Sequence, residues 1–301
     1  MIYSSLASEY KPLIMKYLQF FLLLIILLTN DEVKAQTTPQ YALCIEGVMA
    51  VRKEPNQQSE QVTQLLFGDL CKIMEQPTGS AWVYIENYAD TYKGWILKNA
   101  LYEVETQYAE AYIAQPQAIC AEKKVVLQWR NKNIPLYIGS TLPFLENDSL
   151  RIGYEKIAYK GKSILISEKQ TSEQMLNTAY QYLETPYLWG GKSPEGIDCS
   201  GFTQMVFKIS GYSLLRDSYQ QAEQGELVLF EDIRAGDLVF FQKIPLSQGT
   251  ERVRHVGIAL GNGKIIHADG KVRINTLNAT GLYREDWGAY SHYLKWIRRI
   301  K

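Results

Sequence analysis

The chain has no surplus of charge of either sign, few histidines and cysteines, and no long apolar run beyond its N-terminal region. Lys and Arg number 32 and Asp and Glu 32, so the formal net charge is zero. Nucleic-acid binders normally carry a basic excess, and that class is excluded. Three histidines and four cysteines among 301 residues fit no zinc template, and neither metal nor cofactor is implied. After the N-terminal run, nothing approaches the ~20 apolar residues needed to cross a bilayer. What remains is ordinary globular composition, 46% hydrophobic and 21% charged, which excludes a mainly disordered chain. At roughly 150 residues per domain, the length fits two domains or three small ones.

Lys11 and Lys16 precede an apolar run from Leu18 to Leu28, and Val33-Lys34-Ala35 follows. A basic flank, a short run and small or apolar residues at −3 and −1 predict a signal peptide over residues 1–35, cleaved after Ala35. Met15 is an alternative start. A membrane anchor is the competing reading, but the run is too short to span. No cysteine follows it closely, which argues against a lipid anchor. The mature chain is then expected in the periplasm or outside the cell, as a monomer with no stable membrane span. Export permits disulfides, so Cys44 and Cys71 either pair or remain two buried thiols.

From residue 36 to 102 the pattern is of short strands. Val48 to Arg52 alternates and Glu54-Pro55-Asn56 turns the chain. Val62–Leu66, Leu70–Met74, Trp82–Ile85 and Gly94–Ile96 follow at intervals of about ten residues, as in a small barrel or sandwich. Trp82 and Trp95 are read as its core. Residues 103–170 again read as strand, at Val125–Trp129, Ile134–Ile138 and Ile157–Tyr159, with a turn over 139–143. From 171 to 301 the plan is α+β. Ser172–Glu184 has helical spacing, capped by Thr171 or Ser172 and ended by Pro186. Cys199–Ile209 forms a second amphipathic helix with Phe202, Met205, Val206 and Ile209 on one face. Strands follow at Asp237–Phe241, Val253–Leu260, Lys264–Ala268 and Val272–Ile274.

Cys199 opens its helix after a Gly-rich loop. Free backbone N–H groups and the helix dipole there stabilise an anion, which lowers a thiol pKa and offers an oxyanion site. A cysteine so placed is either a nucleophile or simply a buried apolar residue. His255 and His267 lie twelve residues apart across an expected hairpin through Gly261-Asn262-Gly263. A three-residue loop sets Leu260 opposite Lys264 and puts the two histidines diagonally on one face. A two-residue Asn-Gly turn sets them on opposite faces. They are then either a functional pair or two solvated strand residues.

Two sets of motifs carry resemblances. The order VMAVRKEP, SEQVTQLLFGD, WVYIE, YKGWI resembles a bacterial SH3-type domain, and residues 103–170 suggest a diverged second copy. The order YLWGG, DCSGF, AGDLVFF, HVGIALGNGKIIHA resembles the NlpC-type family of bacterial cell-wall cysteine peptidases over about residues 172–300. That resemblance implies a circularly rearranged papain-like fold, with Cys199 as nucleophile, His255 as general base and His267 as the residue orienting that base.

SH3-type domains ahead of such a domain look like the dipeptidyl-peptidase VI subgroup, the γ-D-glutamyl-L-diamino acid endopeptidases. The implied activity is hydrolysis of peptidoglycan stem peptides that begin with a free L-Ala amine, releasing L-Ala-γ-D-Glu. The subgroup's pocket positions match Asp217, Ser218, Tyr187 and Ser200, with Glu60 and Tyr92 supplied by the first β module. Asp217 and Glu60 are carboxylates suited to an ammonium, and Tyr92 is an aromatic lid. The plainer alternatives are packing for Tyr187, a helix cap for Ser200, a solvated Arg216-Asp217 pair, and exposed barrel residues for Glu60 and Tyr92. His292 is left as a surface residue. The rival functions are an endopeptidase or amidase acting on intact peptidoglycan, and a non-catalytic cell-wall-binding protein.

Overall fold

The structure is a computed structural model and describes residues 40–167, 169–243 and 252–301. The signal-peptide reading of residues 1–35 lies outside the described residues.

Seven strands build the first β module: β1 (Gln40–Cys44), β2 (Val48–Arg52), β3 (Gln61–Leu66), β4 (Leu70–Glu75), β5 (Trp82–Asn87), β6 (Lys93–Leu97) and β7 (Leu101–Val104). They pair antiparallel in the order β3-β2-β6-β5-β4-β1-β7 around Val51, Leu65, Val83, Ile85 and Ile96, all fully buried. Trp82 and Trp95, expected in this core, are only half-buried. Strand alternation is the reason: β5 turns Val83, Ile85 and Asn87 inward, so Trp82 and Tyr84 face out. The Tyr84 and Trp95 rings meet there, 5.2 Å apart. Cys44 and Cys71 are separate buried thiols, not a disulfide.

The next segment begins with helix α1 (Thr106–Ile113). A three-stranded sheet follows, with β8 (Gln117–Cys120) between β11 (Thr141–Leu142) and β14 (Ser163–Ile166). Two hairpins complete it, β9–β10 (Lys124–Trp129, Lys132–Tyr137) and β12–β13 (Ser149–Ile152, Glu155–Ala158). The turn expected over 139–143 is partly strand, because Thr141 pairs with Ile119. The core is shared with the first module: Leu43, Phe67 and Leu70 pack with Tyr112, Leu136, Leu150 and Tyr159. The Tyr112 hydroxyl donates to the Gly68 carbonyl at 2.8 Å, which ties α1 to the first module.

After residue 170 the α+β plan holds. Helix α2 (Ser172–Tyr180) starts with a capping box between Thr171 and Gln174, which satisfies two otherwise unpaired backbone N–H groups. It is shorter than the sequence pattern suggested. The chain leaves it through successive turns, and Glu184, with φ at 67°, precedes Pro186, where helical backbone is disfavoured. Two short strands, β15 (Lys192–Ser193) and β16 (Gly196–Ile197), lead into α3 (Cys199–Ile209). Phe202, Met205, Val206 and Ile209 of α3 are all fully buried.

A short helix α4 (Ser218–Gln221) precedes a second antiparallel sheet. Its strands are β17 (Glu226–Leu227), β18 (Leu238–Lys243), β19 (His255–Gly261), β20 (Lys264–Asp269), β21 (Lys271–Leu277), β22 (Gly281–Arg284) and β23 (Ala289–Arg299). They lie in the order β17-β23-β18-β19-β20-β21-β22, and β23 also pairs with β22. One face (Leu238, Phe240, Val256, Ile258, Ile266) packs with α3 in a single core. The other face (Val239, Phe241, Ala259, Ile265, Leu277) forms a separate cluster.

The β19–β20 hairpin reconciles the two turn geometries open in the sequence. Its loop is the two-residue one: Gly261 pairs with Lys264, and Asn262 and Gly263 both have positive φ, 50° and 67°, as a type I′ turn requires. A β-bulge between Ala259 and Gly261 adds one residue to β19. The register at the histidines is thereby that of the three-residue loop, with Gly257 opposite His267. A bulge shifts register by one, so it reverses the face swap a two-residue turn would otherwise impose.

Candidate active site

The start of α3 is held from three sides by one side chain. Asp198 caps the helix, accepting from Gly201 N at 2.6 Å, and also accepts from Gly190 N at 2.8 Å. Arg216 meets both its oxygens, Nη1–Oδ1 at 3.0 Å and Nη2–Oδ2 at 2.6 Å. Arg216 is 1% exposed, so it is no solvated partner of Asp217. Its remaining donors reach Ser200 Oγ and, in the first β module, Thr63 Oγ1, both at 2.9 Å. Packing here is close. A Cβ on Gly201 would stand 2.2 Å from the Gly191 carbonyl oxygen.

Cys199 is buried in this corner. Its Sγ is within reach of backbone groups of Ser200 and of Val256, the residue after His255. Burial pushes the thiol up to about 12, with the Asp198 charge adding to the rise, against those backbone hydrogen bonds and Arg216. The lowered thiol expected from the helix N-terminus is therefore not found. Desolvation in the closed corner outweighs the backbone hydrogen bonds and the Arg216 charge.

His255 Nε2 lies 2.8 Å from His267 Nδ1, and His267 Nε2 lies 3.0 Å from Asn275 Oδ1. Burial lowers both imidazoles, His255 well below its ordinary value and His267 to about 4. Burial thus works against charge on the thiol and on both imidazoles alike. Asn275 escaped the sequence reading. Its signal lay in register, because Ile265 pairs with Asn275, which sets Asn275 on His267's face of the sheet. His292 is no remote surface residue. Its ring stacks on His255 with centroids 4.6 Å apart and planes 21° apart. Strand β23 folds back along β18, pairing Lys243 with His292, and this carries the ring over the start of β19.

The remaining candidate residues gather beside this corner. The Tyr92 hydroxyl, from the first β module, lies 3.2 and 3.4 Å from the two Asp217 oxygens. Tyr219 also bonds Asp217. Burial raises the Asp217 carboxyl, against the lowering effect of Arg216. Glu60 and Tyr92 line one cavity of about 350 Å³ with Lys53, Val62, Tyr84, Lys93 and Gly94. Glu60 Oε1 accepts from the indole N–H of Trp189 at 3.0 Å, in the loop leading to Cys199. The Tyr187 hydroxyl is raised by burial and then by Cys199 and Asp198, so it stands close to the thiol. Ser218 opens α4. Ser200 differs: its hydroxyl is taken up by Arg216 and by Asp198, the latter at 3.4 Å. Among the described residues, no three His, Cys, Asp or Glu side chains are grouped to hold a metal ion.

Residues 184–291 match the NlpC/P60 family, and residues 51–101 match the bacterial dipeptidyl-peptidase Sh3 domain. A γ-D-glutamyl-L-lysine dipeptidyl-peptidase of Bacillus subtilis (strain 168) is 32% identical over 237 residues, 72% of this chain and 76% of the relative. The chain belongs to the NlpC/P60 family. Dipeptidyl-peptidase 6 of Lysinibacillus sphaericus is 28% identical over 275 residues, covering 81% of this chain and 95% of its own. The crystal structure of an NlpC/P60 family protein from Bacillus cereus ATCC 10987 superposes with a TM-score of 0.70 at 22% identity. It covers 86% of this chain and 99% of its own, so the likeness of fold to that protein extends across the β modules as well.

Proposed function

We propose that this protein is an exported cysteine peptidase that cuts the γ-D-glutamyl–diamino acid bond of peptidoglycan stem peptides bearing a free N-terminal L-Ala. Cys199 transfers its proton to His255 as its sulfur attacks the γ-glutamyl carbonyl, and backbone N–H groups at the start of α3 receive the oxyanion. The His255 imidazolium, oriented by His267, protonates the departing amine and leaves an acyl-enzyme. His255 then takes a proton from water, which attacks the thioester and releases L-Ala-γ-D-Glu. Tyr187 and Ser218 flank the bound peptide, and Ser200 shapes the floor through Arg216. The N-terminal 35 residues direct the chain to the periplasm or the cell exterior, where such peptides arise.

One observation carries the selection of a free amine: the contact of Tyr92 with Asp217, by which the first β module closes on a half-buried carboxylate. Paired with an α-ammonium, that carboxylate regains the charge partner that desolvation otherwise makes it lack. Asp217→Asn is expected to raise KM for the free-amine peptide roughly 10- to 100-fold, with kcat changed far less. Because the Asp217 carboxyl is raised, the wild-type KM should climb as pH falls through that raised value. Steady-state kinetics on L-Ala-γ-D-Glu-diaminopimelate tests both. An unchanged KM in the variant removes Asp217 from substrate binding.

A further inference from the structure

The line of hydrogen bonds through the two histidines does not stop at Asn275. Asn275, 3% exposed, donates from Nδ2 to Glu285 Oε2 at 3.0 Å. Glu285 also accepts from the Thr276 hydroxyl, and its Oε1 lies 3.6 Å from Lys264 Nζ. We propose that Asn275 and Glu285 are positioning residues that fix which nitrogen of each histidine carries the proton, leaving His255 Nδ1 bare to receive the Cys199 proton. The assignment rests on the roles given above to Cys199, His255 and His267.

The protons follow in sequence from the far end. A hydrogen bond from Thr276, the largest influence, holds the Glu285 carboxyl down at about 2, so at neutral pH it only accepts. The end of the Asn275 amide facing Glu285 must then be the NH2 group, which turns Oδ1 toward His267 Nε2. An acceptor there requires a hydrogen on Nε2. His267 is neutral, since burial lowers it to about 4, and carries no second hydrogen. Its Nδ1 is therefore a lone pair, facing His255 Nε2 at 2.8 Å, and that nitrogen must donate. The neutral His255 ring is left with Nδ1 unprotonated. Nδ1 is the ring nitrogen nearer the main chain, and the main chain here, at Val256, is what the Cys199 sulfur touches.

When His255 accepts the thiol proton, its Nε2–H keeps donating along the same line, and no proton needs to move past it. The other groups around the line leave this order intact. Asp269, Arg273 and His292 act on His267 through charge. His292 and Phe241 lie against the His255 ring.

The test uses the full chain labelled with 15N-histidine. Three histidines give three pairs of ring nitrogens, and long-range 15N–1H correlation reads each tautomer directly. The expected wild-type pattern is protonated Nε2 and bare Nδ1 on both His255 and His267. Asn275→Leu is expected to mix the His267 tautomers and lower kcat at least about tenfold with KM little changed, as a misplaced imidazole proton does. Glu285→Gln, at the half-exposed end of the line, is the second variant should N275L fail to fold. An amide there both donates and accepts, so Asn275 is free to flip and a second His267 population should appear. The exchange N275D/E285Q keeps an acceptor toward His267 and should restore most of the kcat lost in N275L. A bare Nε2 on either ring of the wild type overturns the assignment, as do unchanged tautomers and kcat in the variants. Expected tautomers in a protein that cuts no stem peptide would uphold it and overturn the substrate instead.

Discussion

Replacing Cys199 with Ala is expected to lower release of L-Ala-γ-D-Glu by roughly 10⁴-fold or more, since a missing nucleophile leaves only binding and oxyanion stabilisation. The fold should survive. Cys199 is the first residue of α3, and its sulfur fills a small volume beside Val256, so its loss opens at most a minor cavity. Cys199→Ser should recover little, because a hydroxyl is far harder to deprotonate than a thiol and His255 is a weakened base in its buried setting. Product release measured by mass, beside a thermal melt to show intact folding, checks this. A C199A protein that still releases the dipeptide at the normal rate would remove the thiol from the mechanism.

Arg216→Met is expected to destabilise the protein by about 3–5 kcal/mol, because it strands a buried carboxylate. Asp198 would keep its bonds to Gly190 N and Gly201 N but lose both guanidinium contacts. The damage is not confined to one element. Arg216 also binds Ser200 and, through Thr63, the first β module, so the nucleophile's helix, the loop before it and the barrel loosen together. For a chain of this size the melting temperature should fall by on the order of 10 °C. Arg216→Lys should restore only a minor part, since an ammonium cannot bridge two carboxylate oxygens in the plane of a fork. Calorimetric melts of the three proteins decide it, and an R216M melt within about 1 °C of wild type would show that the ion pair carries no net stability.

Local patterns in the sequence were enough to find α3 to the residue, and the two histidines by their place on one hairpin. What they could not supply is whatever depends on chain segments meeting from afar. The cap of α3 is Asp198 rather than Ser200, and Asp198 is held by Arg216, whose own bond to Thr63 joins two modules. His292 lies 37 residues beyond His255 in the chain and reaches it only because β23 doubles back along β18. Asn275 became visible only once β20 and β21 were in register. Helix α1 carries just two buried residues, Ala109 and Tyr112, too few to print a helical period. Trp82 and Trp95, read as core, face outward because Val83 and Ile85 of β5 and Gly94 and Ile96 of β6 take the inner face.

The most direct measurement sets L-Ala-γ-D-Glu-diaminopimelate beside its N-acetyl form, each incubated with the mature protein, with the products weighed by mass spectrometry. The free peptide should be cut at the γ-glutamyl bond alone. The acetylated one should be cut at least about 30-fold more slowly, because acetylation removes the charge partner of Asp217 and leaves that carboxylate unpaired. Equal cleavage of both would contradict the closed, amine-selecting pocket, and cleavage of neither would contradict the substrate itself.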